Sequence, residues 1–257
     1  VAQLNTLMPT IIATYPSAAV LLAEERQAGR LAVRPNEVWT GGESLTPAMR
    51  RHVEQVFGCS VVDNYGASEF LALASPCRCG HLHLNSDWAL LESVDASGRR
   101  VPDGQLGATA LLTNLANPVQ PLIRYDLGDR IAVRPGRCAC GSPFPAIEVH
   151  GRHDDTLHLR VGGRTVGLMP LALCTVLEEE AGLFDFQVVQ RGPASLEILI
   201  GVGVAPPRAV CERALQAVGA YLARLGAGRV RLSCHRARET PRGPGGKVQR
   251  VVSLKEG

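Results

Sequence analysis

Lysine is almost missing from this 257-residue chain: of its 27 basic residues only Lys247 and Lys255 are lysines. Any chemistry that needs a primary ammonium therefore has two side chains to draw on. No apolar run approaches the roughly 20 residues that span a bilayer, and the first twenty residues lack a basic start followed by a cleavage site. Both absences argue against membrane insertion and secretion, and for a cytoplasmic protein. Charge of one sign is also lacking: the net charge is +3, with arginines scattered along the chain, which excludes a dedicated nucleic-acid or membrane-surface partner. An initiating methionine is absent too. The chain opens at Val1 inside what reads as a continuing amphipathic helix, so an upstream portion is expected to be missing.

What is present is an ordinary globular balance, 46% hydrophobic, 20% charged and 4% aromatic, long enough for a medium and a small domain. Apolar spacing at Ala18, Leu21 and Leu22 behind Pro16-Ser17 predicts a helix to about Gly29. Glu37 to Thr40 reads as a strand that ends in the Gly41-Gly42 turn. Thr46 and Pro47 then supply an N-cap and a first-turn proline for a helix to about Phe57, and Ser60 to Asn64 is the next strand. This alternation predicts a mainly parallel α/β sheet with its ligands at strand ends. From His81 to Val133 short strands and turn signals predict a β-rich subdomain. A small α+β domain follows, with a helix from Pro170 to Glu180, strands near 186–189 and 196–200, and a helix from Pro207 to Leu225. Domain bounds of 1–153 and 154–257 follow, and the glycine-rich stretch Pro241 to Gly246 is a loop.

Five segments carry candidate chemistry: Gly41-Gly42-Glu43-Ser44-Leu45, Tyr65-Gly66-Ala67-Ser68-Glu69, Arg124-Tyr125-Asp126-Leu127-Gly128-Asp129, Gly151-Arg152-His153-Asp154-Asp155, and Pro241 to Arg250 with Gly246-Lys247 inside it. Each alone reads as a loop or turn. In this order and spacing they resemble the adenylate-forming superfamily, and within it the carboxyl-terminal portion of the phenylacetate–coenzyme A ligase-like family.

The resemblance implies the following roles. Gly42 and Glu43 belong to a turn laid against adenine, with Tyr65 and Gly66 beside it. Ser68 offers a hydroxyl to the α-phosphate and Glu69 a hard carboxylate to Mg²⁺. Asp129 accepts from both ribose hydroxyls, which suits a carboxylate facing a vicinal diol. Arg152 touches ribose or phosphate. Asp154 is the hinge between the two domains, and Lys247 is the catalytic ammonium that bridges the substrate carboxylate and α-phosphate. The implied reaction joins a carboxylic acid, an aryl or arylacetic acid first, to ATP as an acyl-adenylate and then passes it to the thiol of coenzyme A. A carrier-protein thiol is the alternative acceptor, and a zinc-stabilised binding module without catalysis is a second alternative. A homodimer is an expectation of the same kind. Leu127 departs from the family's threonine, and no phosphate-binding loop precedes Gly41.

Two cysteine-rich turns, Cys77-Arg-Cys79-Gly80-His81-Leu-His83 and Cys138-Ala-Cys140-Gly141, would have to meet in space to hold one ion. Thiolates with imidazole point to Zn²⁺ in a tetrahedron. Five ligands compete for four places. The family's spacing favours Cys77, His83, Cys138 and Cys140, with Cys79 in reserve, and the metal is structural. Cys59, Cys174, Cys211 and Cys234 are expected in the core.

Overall fold

The structure is a computed structural model that describes residues 1–153, 156–201, 207–237 and 249–253. The chain divides into two compact units, Val1–Leu45 with Glu54–Asp154, and Thr46–Val53 with Asp155–Gly257.

In the first unit a short helix α1 (Ala2–Leu7) buries no residue and ends where Met8 turns left-handed at φ 44. The left-handed residue stops the helix and a strand follows. That strand, β1 (Ile11–Thr14), leads through α2 (Pro16–Gln27) to β2 (Glu37–Thr40) and α3 (Pro47–Phe57), then β3 (Ser60–Asp63). The three strands pair in parallel in the order β1-β2-β3, with Ile12, Val38 and Val61 aligned on one face. Helix α2 begins at Pro16 in its first turn and buries Ala19, Val20 and Ala23. Small residues there allow a close helix–sheet approach. Thr46 Oγ1 accepts from the Met49 amide at 3.1 Å, the N-cap of α3. The first residues of α3 count with the second unit.

The chain then turns antiparallel. Strands β4 (Tyr65–Ala67), β5 (Phe70–Pro76) and β6 (Leu82–Leu84) are followed by β7 (Ala89–Val94), β8 (Thr109–Asn114), β9 (Tyr125–Asp126), β10 (Asp129–Val133) and β11 (Ala146–Arg152). They form a five-stranded sheet, β10-β11-β6-β5-β4, and a three-stranded one, β7-β8-β9. Leu73, Leu112, Leu127, Ile131 and Ile147 share one apolar core between these strands. Both tryptophans belong to this first unit and are well exposed, Trp39 at 42% and Trp88 at 57%.

The second unit contains a hairpin, β12 (Leu157–Val161) and β13 (Arg164–Leu168), then α4 (Pro170–Ala181), β14 (Phe186–Gly192), β15 (Ser195–Ile200), α5 (Pro207–Arg224), β16 (Arg231–Arg236) and β17 (Val251–Val252). Gly162 and Gly163, at φ 57 and 77, make the two-residue turn between β12 and β13. Positive φ at both positions is what such a turn needs to match strand twist. The sheet order is β16-β15-β14-β17, and Leu173, Leu177, Phe186, Ile198, Val218 and Leu222 lie in one cluster. Cys174 is buried, and burial pushes its thiol up to about 11. Cys211 and Cys234 are half-buried and pack against this cluster, whereas Cys59, also half-buried, lies in the bend between α3 and β3, so only Cys174 of the expected core set is fully buried. Among the described residues no helix is long and apolar enough to cross a membrane.

Candidate functional site

Strand ends gather the polar residues of the first unit. Tyr65 opens β4, and its hydroxyl donates to Asp129 Oδ2 at 2.7 Å. Burial first, then the Asp129 carboxylate and its hydrogen bond, raise the Tyr65 hydroxyl well above its ordinary range, against the opposing pull of Arg152. Asp129 begins β10 in register with Arg152 at the end of β11. Arg152 Nη1 lies 3.7 Å from Asp129 Oδ1 and donates to the Leu127 carbonyl at 3.1 Å. The Asp129 side chain is 14% exposed and the Arg152 side chain 52%, so the acid is set in the wall while the base faces solvent.

Gly128 lets Arg152 cross the turn: its φ is 71, and a Cβ there would stand 2.7 Å from Arg152 Nη2. Gly66 is tighter still, since a Cβ would fall 2.0 Å from the Leu71 carbonyl oxygen. The next two motif residues, Ala67 and Ser68, lead into the β4–β5 hairpin turn, where Ser68 is exposed and Glu69 half-buried. Tyr125 donates its hydroxyl to the Glu69 carboxylate, which raises the tyrosine's pKa. Asp126 accepts from the Thr109 hydroxyl and, at 2.8 Å, from the Gly128 amide. It is a turn anchor, and its carboxyl is held below the usual range despite burial, which opposes that shift. Leu127 is 6% exposed and packs into the core.

The Gly41-Gly42 turn closes against β3, where a Cβ on Gly41 would lie 2.9 Å from the Asn64 carbonyl oxygen, and Gly42 sits at φ 77. Glu43 accepts from the Ser17 amide at 3.2 Å. An acceptor at the first turn of α2 satisfies an otherwise unpaired N–H and answers the helix dipole. Sequence spacing gave no sign of this, because Ser17 lies 26 residues away. Lys247 and Asp154 lie outside the described residues.

The structure brings Cys77, His83, Cys138 and Cys140 together, with one ligand atom from each lying within 4.8 Å of all the others. Cys77 follows β5, His83 is on β6, and the other two occupy the β10–β11 loop. Cys77 and Cys138 sulfurs are 3.8 Å apart, too far for a disulfide. They match the separation of about 3.8 Å that two thiolates take around a tetrahedral ion at ~2.3 Å from each. His83 Nδ1 is 2.7 Å from the Phe144 carbonyl oxygen. Since a carbonyl only accepts, Nδ1 carries the proton and Nε2, 3.3 Å from Cys140 Sγ, is left with its lone pair toward the cluster. Amides of Cys79 and Ser142 point at Cys77 and Cys140 sulfurs, each at 3.4 Å. Burial acts to raise the Cys77 thiol, yet hydrogen bonds from Cys79 and His81 backbone and the neighbouring thiols bring it down to about 6. The donor set therefore fits Zn²⁺. Cys79 is exposed and outside the cluster, and His81 Nδ1 lies 3.3 Å from Cys138 Sγ.

No protein-family model matches the chain. It is 30% identical over 171 residues to a phenylacetate–coenzyme A ligase of Thermus thermophilus, covering 62% of this chain and 38% of that one. A second match, 30% over 200 residues, is to the phenylacetate–coenzyme A ligase of Escherichia coli, covering 72% and 42%. The chain thus spans about two fifths of the length of these curated relatives. Among solved structures it is similar to 2-hydroxyisobutyryl-CoA ligase in complex with an acyl-AMP, with TM-score 0.76, 22% identity and coverage of 99% and 56%. An anthranilate CoA ligase aligns with TM-score 0.66, 19% identity and coverage of 96% and 49%.

Proposed function

We propose that this chain, which belongs with the phenylacetate–coenzyme A ligase-like family of the adenylate-forming superfamily, carries the nucleotide-contacting strand ends and the small carboxyl-terminal domain of an acid–thiol ligase. The observation that carries this reading is the joining of Tyr65, Asp129 and Arg152 into one group at strand ends, by a hydrogen bond from the Tyr65 hydroxyl to Asp129 and an ion pair between Asp129 and Arg152. Such a group offers an aromatic ring, a diol acceptor and a cation within one nucleotide's length.

Asp129 would accept from the two ribose hydroxyls, with Oδ2 aimed by the Tyr65 hydroxyl and Oδ1 facing Arg152. Gly66 lies at the irregular step between Tyr65 and Ala67, where the lack of a side chain lets the backbone pack against the Leu71 carbonyl, and a base would lie along the neighbouring Tyr65 ring. Gly42 serves the same face, while Glu43 acts by holding the start of α2. Ser68 would donate to the α-phosphate. Glu69, oriented by Tyr125, would hold Mg²⁺, which supplies charge neutralisation on the phosphates. Arg152, half in solvent, can swing toward phosphate, while the Tyr65 hydroxyl keeps its hydrogen bond to the Asp129 carboxylate. Lys247 would stabilise charge developing between carboxylate and α-phosphate, and Asp154 would be the hinge.

Zn²⁺, held by Cys77, His83, Cys138 and Cys140, would supply structural cross-linking of two loops. The substrate class is an aryl or arylacetic acid and the acceptor coenzyme A, by likeness to the relatives. ATP–pyrophosphate exchange and thioester formation over a panel of aryl acids test the reading. Absence of both in the full-length polypeptide, with AMP failing to bind in calorimetry, would overturn it.

A further inference from the structure

The four ligands of the cysteine–histidine cluster bring more negative charge than one divalent ion cancels. Three thiolates and a neutral imidazole around Zn²⁺ leave one negative charge over, and Cys77, Cys138 and Cys140 are half-buried. Donors on the sulfurs are what spread such a charge. Two of the three sulfurs have them from the backbone. The Cys79 amide reaches Cys77 Sγ at 3.4 Å, with the His81 amide beside it, and the Ser142 amide reaches Cys140 Sγ at 3.4 Å. Cys138 Sγ meets a side chain instead, His81 Nδ1 at 3.3 Å.

The turn that carries Cys77 holds His81 in this place. Gly80 sits at φ 78 and its amide donates to the Cys77 carbonyl at 2.8 Å, while the Cys77 amide donates to the His81 carbonyl at 2.9 Å. His81 is not a fifth ligand. Ligand atoms about 2.0–2.3 Å from one ion stand no more than about 4.6 Å apart, and the described residues whose ligand atoms all lie within 4.8 Å of one another are Cys77, His83, Cys138 and Cys140, without His81. A thiolate holding an ion has no proton and only accepts, so the nitrogen facing it carries the hydrogen. His83, two residues on, is turned the other way: its Nδ1 is used on the Phe144 carbonyl and its Nε2 is left for the ion.

We propose that His81 is an outer donor of the zinc centre: its Nδ1–H hydrogen-bonds the Cys138 thiolate, spreads the charge that the ion leaves over, and so holds that ligand on the metal. This rests on the zinc reading given above. It assigns the two histidines of His81-Leu82-His83 different work, one on the ion and one on a sulfur.

The test uses the full-length polypeptide and three variants, His81→Ala, His81→Asn and His81→Gln. An asparagine amide nitrogen stands close to the place of Nδ1, and a glutamine amide nitrogen close to that of Nε2. Zinc affinity is measured by competition with a chromophoric chelator, and the centre is read directly by replacing zinc with Co²⁺. His81→Ala should bind zinc roughly ten- to a hundredfold more weakly. Its thiolate-to-cobalt charge-transfer band should move to lower energy, because a sulfur that has lost a donor gives up an electron more readily. The ligand-field bands of tetrahedral cobalt should keep their intensity, since no ligand is removed. His81→Asn should return affinity and band position to those of the parent, and His81→Gln should not. Parental affinity and spectrum in His81→Ala would overturn the donor role and leave the four ligands standing. Collapse of the ligand-field bands in His81→Ala would overturn it by showing the ring to be a ligand. Failure of His81→Asn to restore what His81→Ala loses, folding included, would also overturn it, as would equal restoration by His81→Gln. A parent that takes up neither zinc nor cobalt would remove the zinc reading, and the role of His81 with it.

Discussion

The hydroxyl of Tyr65 lies 2.7 Å from Oδ2 of Asp129, so a residue read as an adenine platform and one read as a ribose acceptor form a single unit across 64 residues of sequence. In Asp129→Ala that unit is broken, and AMP and ATP should both bind about ten- to a hundredfold more weakly, the loss of a charge-assisted pair at roughly 1.5–3 kcal/mol. Tyr65→Phe keeps the ring and removes only the aim, so its loss should be no more than about tenfold, near 1.4 kcal/mol. Calorimetric titration with AMP decides. An Asp129→Ala variant with parental affinity would reject the ribose role.

One zinc per chain is expected by elemental analysis of protein purified without chelator. Cys138→Ser should lose the metal and lower the melting temperature, because binding at small structural sites is coupled to folding on the order of 10 kcal/mol. Cys79→Ser should retain full stoichiometry, since its thiol stands outside the cluster. Zinc lost from Cys79→Ser and kept in Cys138→Ser would reverse the assignment.

His52 stacks on Phe184 with centroids 5.3 Å apart, and its Nε2 finds no partner among the described residues. Burial lowers its pKa below the ordinary 6.5. The folded state thus disfavours the proton that the unfolded chain accepts, so this group's stability contribution is full above about pH 6.5 and is lost as pH falls through the folded value. His52→Phe should stabilise by about 1 kcal/mol at pH 8, relieving an unsatisfied nitrogen. The advantage should widen as the pH is lowered toward 5.5. Urea unfolding at the two pH values tests the sign, and a gap that narrows toward acid would show the assignment to be wrong.

Gly66→Ala places a Cβ 2.0 Å from the Leu71 carbonyl oxygen, a contact that only opening the β4–β5 hairpin relieves. Destabilisation of about 1–3 kcal/mol is expected, together with weaker AMP binding because Tyr65 and Glu69 flank the site. Gly98→Ala, at φ 79 with nothing nearby, should lose about 1–2 kcal/mol and leave AMP affinity alone. Parallel denaturation and titration of the two variants separate a local backbone effect from a site effect.

Local signals in the sequence led to much of this architecture. Thr46-Pro47 announces α3, and the family's spacing, which the Cys-x-Cys turns alone could not supply, names the same four ligand residues, Cys77, His83, Cys138 and Cys140, that the fold gathers. Strands β1, β16 and β17 escaped because four, six and two residues carry little period of their own, and pairing partners far along the chain complete them. Glu43 as a helix cap, Tyr125 as the partner of Glu69, and Glu178 as the seat of Arg250 were equally invisible. Each depends on a contact across at least 26 residues, which no spacing rule encodes.

Trp39 and Trp88 are both in the first unit and both face solvent, while the second unit has no tryptophan. Intrinsic fluorescence excited at the indole band is therefore a one-sided reporter. Its emission should already sit near the solvent value in the folded protein and shift little on denaturation, and any event confined to the region around Glu178 and Arg250 will pass unseen. A tryptophan placed at Phe184, beside His52 and the Arg250 guanidinium, would give that half of the molecule a spectroscopic voice.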